Sequence, residues 1–267
     1  MNVSHITSRD NPLLKTIRLI ATGSKRAPHD LVLAEGVRVL EEVARAEYPV
    51  ESVVLIEQFG SVPRERALLE RWSSRNIRLT KVSESLFKTI SSVQAPQGAV
   101  ALVKVPPSGL PDIIPVRNSL IVYACGIADP GNIGTLIRTA AAAGATMFCT
   151  EKGTVSARNP KAIRASAGAF FHLVPVENIE IGDFLKYCRR HSIQAYRTEA
   201  KEGINYMDAD WRSSCAILLG NEGSGIDFKE MTGTPAIRIP MNEKIESLNV
   251  AVAGAIILFE AARQRTT

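Results

Sequence analysis

The 267-residue chain is poor in the residues that build metal centres and disulfide frameworks. Its four cysteines, Cys125, Cys149, Cys188 and Cys215, are widely spaced, and no two stand at metal-ligand spacing. Most sit in apolar segments, so buried free thiols are expected. His5, His29, His172 and His191 are equally scattered, which argues against a zinc site and against a histidine general base. No metal is expected. Long hydrophobic runs are missing too: the most apolar stretch, 248–259, has 12 residues, whereas a helix that spans a bilayer needs roughly 20. The N-terminus shows no charged start followed by an apolar core and a small-residue cleavage site, so no secretory signal is read and a cytoplasmic protein is expected. There is no internal repeat and no low-complexity tract. Two glycine patterns are absent as well. The loop from Gly220 to Gly225 spaces its glycines as G-x-x-G-x-G, which matches neither the dinucleotide fingerprint nor the phosphate-cradling loop with its terminal lysine. NAD and ATP are discounted on that ground. What remains is a loop after a strand that can bring backbone groups against a small ligand, with Glu222 supplying a charge.

What is present reads as two α/β parts. The length suits one large or two modest domains, and a hydrophobic fraction of 45% is enough for real cores. Residues 1–105 alternate between elements: helix 11–21, strand 31–34, helix 37–47, strand 52–57, helix 63–76, strand 77–82, helix 84–93 and strand 99–105. Pro106, Pro107, Gly109 and Pro111 then interrupt any regular structure. The expected organisation is a first domain over 1–105, a linker over 106–117 and a second domain over 118–267. Residues 1–105 hold 15 Lys and Arg against 11 Asp and Glu, so four of the five surplus positive charges lie there. Arg9, Lys15 and Arg18, with Lys25 and Arg26, suit a surface that touches phosphates as well as a plain solvated face.

The second part opens with a strand, a Gly/Pro turn, an alanine-rich helix from about Thr135 and another strand after Gly144, a βαβ unit. Asn132 and Gly134 fall at the carboxyl end of a strand, where α/β sheets usually bind ligands. Arg138 is placed in the first two turns of the helix, where a cation opposes the macrodipole and so points to an anionic or polar substrate. Arg158, Lys161 and Arg164 are spaced by three and can share a helical face. The small residues Ser166, Ala167, Gly168 and Ala169 allow close backbone approach, for packing or for a ligand. Last comes a short strand, a polar loop and a helix apolar on every face but for Asn249. Such a helix is buried or covered by a second subunit. Ser247 and Asn249 at its mouth either cap it or hold a ligand.

Three stretches now stand together: DPGNIGTLIRTAAAAGA at 129–145, LLGNEGSGI at 218–226 and IPMNEKIESLNVAVA at 239–253. In this order and at this separation they resemble the three motifs of the SpoU/TrmH family, RNA ribose 2′-O-methyltransferases of the SPOUT class. RNPKAIRASAGAFFHLVPV, at 158–176, is similar to the family's connecting segment, so the likeness spans most of 119–263. Residues 1–105, with LAEGVRVLEEV and the APQG before the last strand, resemble the substrate-binding domain of many members, whose fold is similar to that of a small RNA-binding ribosomal protein.

The resemblance implies a parallel α/β sheet whose C-terminal stretch is threaded as a deep trefoil knot, an exception to the usual rule against knots. It also implies S-adenosylmethionine bound within that knot and a homodimer with the active site near its interface. Leu219, Gly220, Ile239, Met241 and Leu248 fall where family members hold the cofactor. Asn132, Arg138, Glu222, Ser247 and Asn249 fall on the polar catalytic positions. The loop 242–246 reads NEKIE, without the glycine that relatives often carry.

Methyl transfer from a sulfonium to a hydroxyl is an in-line displacement with a neutral leaving group, which requires neither metal nor covalent intermediate. Positioning then supplies most of the catalysis. A guanidinium is a poor base, so Arg138 is expected to orient the hydroxyl and a neighbouring phosphate and to stabilise the developing alkoxide. Asn132, Ser247 and Asn249 would fix geometry, and Glu222 would hold Arg138 or its loop. Ribosomal RNA is the first expected substrate, antibiotic-resistance methylation included, and transfer RNA the second. A non-catalytic RNA-binding protein that keeps the fold is the rival reading, and a small-molecule methyltransferase conflicts with the basic first domain.

Overall fold

The computed structural model describes residues 3–107, 109, 110, 113–220, 231 and 233–266. Two compact units emerge: Met1–Pro107 with Arg158–His172, and Ser108–Ala157 with Leu173–Thr267. The stretch 158–172 is thus an arm of the first unit, although 50 residues lie between it and Pro107.

The first unit carries a mixed five-stranded sheet in the order β1-β4-β3-β5-β2. Its strands are β1 (Val3–His5), β2 (Leu31–Glu35), β3 (Val50–Ile56), β4 (Leu79–Val82) and β5 (Ala99–Lys104). The apolar strand β5 runs antiparallel to both β2 and β3, whereas β4 is parallel to β1 and β3. The helices are α1 (Pro12–Ala21), α2 (Val37–Arg45), α3 (Pro63–Ser74) and α4 (Glu84–Phe87). Asn11 caps α1 by accepting from the Leu13 amide at 2.9 Å, and Pro12 follows where its missing N–H costs nothing. Leu14, Ile17 and Ile20 on one stripe of α1 pack with Leu33, Val54, Val82 and Leu102 of the sheet. The helix expected over 84–93 stops at Phe87, because Ser91 and Ser92 turn back to hydrogen-bond the buried Glu35 carboxylate.

The helices of the remaining chain are α5 (Pro130–Ala142), α6 (Pro160–Ala165), α7 (Ile181–Arg190) and α8 (Val250–Thr266). Helix α6 and a 3-10 turn at Ala169–Phe171 form the arm. Arg158 stands before α6 and not on it. Gly168 joins the two at φ +91°, and a Cβ there would come within 2.5 Å of the Glu42 Cβ on α2. Gly168 therefore serves packing against α2. Phe170 and Phe171 are buried, Phe171 edge-on to Tyr48.

The second unit is built on a seven-stranded sheet in the order β10-β12-β9-β11-β6-β7-β8, with every recorded pairing parallel. The strands are β6 (Leu120–Cys125), β7 (Met147–Glu151), β8 (Val176–Ile179), β9 (Gln194–Thr198), β10 (Ile204–Asn205), β11 (Cys215–Gly220) and β12 (Ala236–Arg238). Parallel sheets are covered on both faces, and the central strands β6 and β11 are accordingly apolar and buried almost throughout. Helix α5 begins at Pro130, five residues earlier than expected, because proline suits the first helical position. Arg138 consequently lies in the third turn, and the macrodipole reason for singling it out falls away. All four cysteines are free and buried, as expected.

Valine at position 168 would combine a β-branched residue at positive φ with a clash against Glu42, a cost of about 2–5 kcal/mol. Gly168→Val should lower the thermal midpoint by several degrees in a calorimetric scan. An unchanged midpoint would show that the arm does not rest on α2.

Candidate active site

Because its strands are parallel, the second sheet gathers their carboxyl ends along one edge. Strand β6 ends there at Cys125, in register with Gly220 at the end of β11. Gly126 turns the chain at φ +62°, and α5 starts four residues later. Ile239 and Met241 follow directly on β12, and Leu248 immediately precedes Asn249 and α8. The expected cofactor residues are thus placed along this edge by three segments of the chain.

Leu219 is buried, and its Cδ1 lies so close to α8 that a Cβ on Gly254 would sit 2.9 Å from it and 2.5 Å from Leu136 Cδ2 of α5. Gly254 is therefore the contact that lets α8 sink between α5 and β11. Ile239, Met241 and Leu248 are half-buried apolar side chains outside regular structure. Among the described residues their backbone groups enter no hydrogen bond. Apolar side chains beside unspent backbone donors and acceptors fit the adenine of S-adenosylmethionine, with its flat face and polar edge.

Asn249 caps α8, one of the two roles expected of it, and also reaches a second helix. Its Oδ1 accepts from the amides of Ala251 at 3.0 Å and Val252 at 3.3 Å, which caps α8. Its Nδ2 donates to Asn132 Oδ1 at 3.2 Å, in the first turn of α5. Two of the expected catalytic residues are thereby brought together across 117 residues of sequence. Ser247 is exposed two residues upstream. Arg138 is exposed and makes no hydrogen bond or ion pair among the described residues. Six residues from Asn132, it lies roughly 120° around the helix from it, so the two do not share a face. Glu222 lies outside the described residues.

The edge also holds a pair that the sequence did not single out: Cys125 Sγ donates to Glu151 Oε2 at 2.6 Å. Burial, with the Glu151 carboxylate beside it, pushes the Cys125 thiol well up, and burial does the same to Cys149 and to Cys188, the latter to about 12. None is poised as a thiolate nucleophile. Among the described residues no group of three or more His, Cys, Asp and Glu could hold a metal. No described helix is long and apolar enough to cross a membrane.

The residues expected to touch RNA are all in the first unit. Arg9 and Lys15 are exposed, Lys15 paired with Asp10 at 3.1 Å, and Arg18 donates to the Arg9 carbonyl at 2.6 Å. Arg158 donates to the carbonyls of Val105 at 2.7 Å and Pro106 at 3.2 Å, so its guanidinium fastens the arm. Lys161 is exposed on α6, and Arg164 reaches the buried Glu35 at 3.5 Å.

Comparison with known proteins extends the likeness to the whole chain. Residues 119–259 match the SpoU rRNA Methylase family and residues 11–101 the MRM3-like substrate binding domain. The 23S rRNA (guanosine(2553)-2'-O)-methyltransferase RlmP of Bacillus subtilis is 30% identical, over 96% of this chain and 98% of its own. The 23S rRNA (uridine(2479)-2'-O)-methyltransferase of Streptomyces viridochromogenes is 30% identical, over 97% and 92%. The AdoMet-bound rRNA methyltransferase from Sinorhizobium meliloti superimposes with a TM-score of 0.85 at 28% identity, covering 98% of each chain. With a family match that spans more than half of its length and relatives that align end to end, this chain belongs to the SpoU rRNA methylase family.

Proposed function

We propose that the protein transfers the methyl group of S-adenosylmethionine to a ribose 2′-hydroxyl of ribosomal RNA. The observation that carries this reading is the Asn249–Asn132 bridge, which ties the mouth of α8 to the mouth of α5 at the sheet edge where Leu219 and Gly220 end. Relatives that align over nearly the whole chain support ribosomal RNA as substrate, and they modify guanosine in one case and uridine in the other. Specificity for the base therefore differs within the same architecture.

The bound cofactor would supply an electrophilic methyl and a neutral leaving group. The chain must then hold a hydroxyl in line with that methyl. Asn132 and Asn249 fix each other's amides and so present a set of polar atoms whose orientation is already decided. Arg138, uncommitted among the described residues, orients the hydroxyl and a neighbouring phosphate and stabilises the oxygen as it takes up negative charge. Ser247 and Glu222 complete the polar set. Gly220, Leu219, Ile239, Met241 and Leu248 hold the cofactor, and the basic residues of the first unit engage the RNA backbone.

The proposal includes a trefoil-threaded C-terminus, a homodimer and a cytoplasmic site of action. Threading is supported by the return of the chain from β12, near one side of the sheet, to α8 against α5 and β11. Dimerisation is supported by Val252 and Phe259, which are 49% and 54% exposed on a helix otherwise apolar along that side, with Ala255 and Ile256 between them. Buried free thiols suit a reducing compartment.

Calorimetric titration with S-adenosylmethionine and methylation of unmodified ribosomal RNA test the activity directly. Arg138→Ala should lower kcat roughly 100-fold or more while the cofactor Kd hardly moves. Near-wild-type turnover at saturating RNA would return Arg138 to the ordinary surface cations. At position 249 cap and bridge can be separated. Asn249→Ala should cost about 1 kcal/mol in denaturant unfolding through the lost cap, whereas Asn249→Asp should keep the stability and still lose turnover, because a carboxylate cannot donate to Asn132. Equal stability in the two variants would rule out the capping role. Ala255→Glu should shift the sedimenting species from dimer to monomer, and a wild-type protein that is monomeric at micromolar concentration would refute the dimer.

A further inference from the structure

Within the first unit, away from the proposed methyl-transfer site, lies a cavity of about 260 Å³ lined by Glu35, Gly36, Arg38, Val39, Val93, Ala95, Gln97, Arg164 and Ala167. Nothing in the reaction as described uses it. Its construction is nevertheless specific. The Glu35 carboxylate, 2% exposed, accepts from Ser91, from the amide and hydroxyl of Ser92 at 3.1 and 2.6 Å, and from Arg164 Nη1 at 3.5 Å. Arg164 Nη1 also donates to the Ser92 hydroxyl. The guanidinium is thereby held against the cavity by one nitrogen. Among the described residues its Nη2 and Nε make no hydrogen bond. Gln97 is fixed in the same way, its Oε1 accepting from the Val37 amide at 2.8 Å, which leaves its amide nitrogen as a donor on the wall. Arg38 is exposed at the rim and forms no hydrogen bond or ion pair among the described residues. Val39, Val93 and Ala95 supply the apolar part.

Two cations with donors to spare, a fixed amide and apolar walls are the set that recognises an unstacked nucleotide: the base lies on apolar surface or on a guanidinium plane, and the phosphate meets the cations. The size agrees. The cavity holds several times the roughly 30 Å³ of a water molecule but falls short of the ~300–1,000 Å³ of sites that enclose a whole small-molecule ligand. The surplus of positive charge in residues 1–105 favours RNA over an acidic small molecule. We infer that this cavity receives one splayed-out nucleotide of the RNA substrate, its phosphate on Arg38 and its base between Arg164, Gln97 and the walls of Val39, Val93 and Ala95. The inference rests on the proposed RNA substrate and adds a specific anchor to it. Because Arg164 and Ala167 come from the arm, the subsite needs residues from both family-matched regions, 11–101 and 119–259.

The test uses the full-length protein with ribosomal RNA extracted from cells that lack the gene. Arg38→Ala should raise the KM for RNA tenfold or more and reduce the slope of log affinity against log salt by about 1, the loss of one phosphate contact. Ala95→Leu, which fills the cavity without offering a stacking ring, should raise KM similarly and leave the salt slope as it was. RNA substituted with 4-thiouridine should crosslink to the peptide that spans residues 93–97 in the wild type and less in Ala95→Leu. Calorimetry should find cofactor affinity unchanged in both variants. Wild-type KM in both variants, in a preparation that methylates the RNA, overturns the nucleotide subsite and leaves the methyltransferase reading standing. A wild-type protein that methylates no ribosomal RNA overturns both. An effect seen with intact ribosomal subunits and not with naked RNA would assign the cavity to a protein partner and also overturn the inference.

Discussion

The parallel direction of the second sheet is the constraint on which the molecule's chemistry depends. Parallel neighbours cannot be joined by a tight hairpin, so each connection crosses over and covers a face. The ends of β6 and β11 then emerge side by side, with β12 one strand further on beyond β9, and with them the turn that leads into α5 and the segment before α8. One close contact makes the arrangement tight. Gly254 has no side chain, and this lets α8 settle against Leu136 and Leu219 until its capping residue reaches the first turn of α5. Helix capping, usually a local matter of stability, here also decides the position of a polar pair.

Most of the fold was legible because apolar runs and punctuation agree with it. Strands β2, β6, β7 and β11 are short continuous apolar segments, and their buried positions in the structure follow from that. The failures have definite causes. The Pro130-Gly131 pair reads as a turn, yet proline is at home in the first turn of a helix, so α5 gained five residues. The helix expected through residue 93 was cut short by a carboxylate that lies 56 residues away from Ser91, a partner that no local pattern reveals. Strand β1 is only three residues long, below the length at which alternation can be recognised. At the site, the pattern placed Asn132 and Asn249 at helix mouths, but their direct bond is a tertiary fact.

The arginines show most plainly what spacing leaves undecided. Arg158, Arg164 and Arg138 look alike as charges in the sequence. In the structure Arg158 is committed to backbone carbonyls, Arg164 shares itself between a buried carboxylate and a cavity, and Arg138 is uncommitted among the described residues. Arg265, on the last turn of α8, is likewise committed: it donates to the carbonyls of Ser119 at 3.3 Å and Ser213 at 2.8 Å. A planar fork with five donors suits structural clamping as well as substrate recognition. Which task it performs depends on how many acceptors the fold has already turned toward it.

The arm at 158–172 bears on how proteins of this architecture can be recombined. By sequence it belongs with the methyltransferase motifs, while by packing it belongs with the first unit, where Gly168 rests on α2 and Phe171 on Tyr48. A chimera joined at the proline-rich segment after Val105 would bring in a foreign arm, with two buried phenylalanines and a guanidinium shaped for a different first unit. A viable exchange of recognition modules between relatives therefore requires three crossover points, so that the arm travels with the unit it packs against.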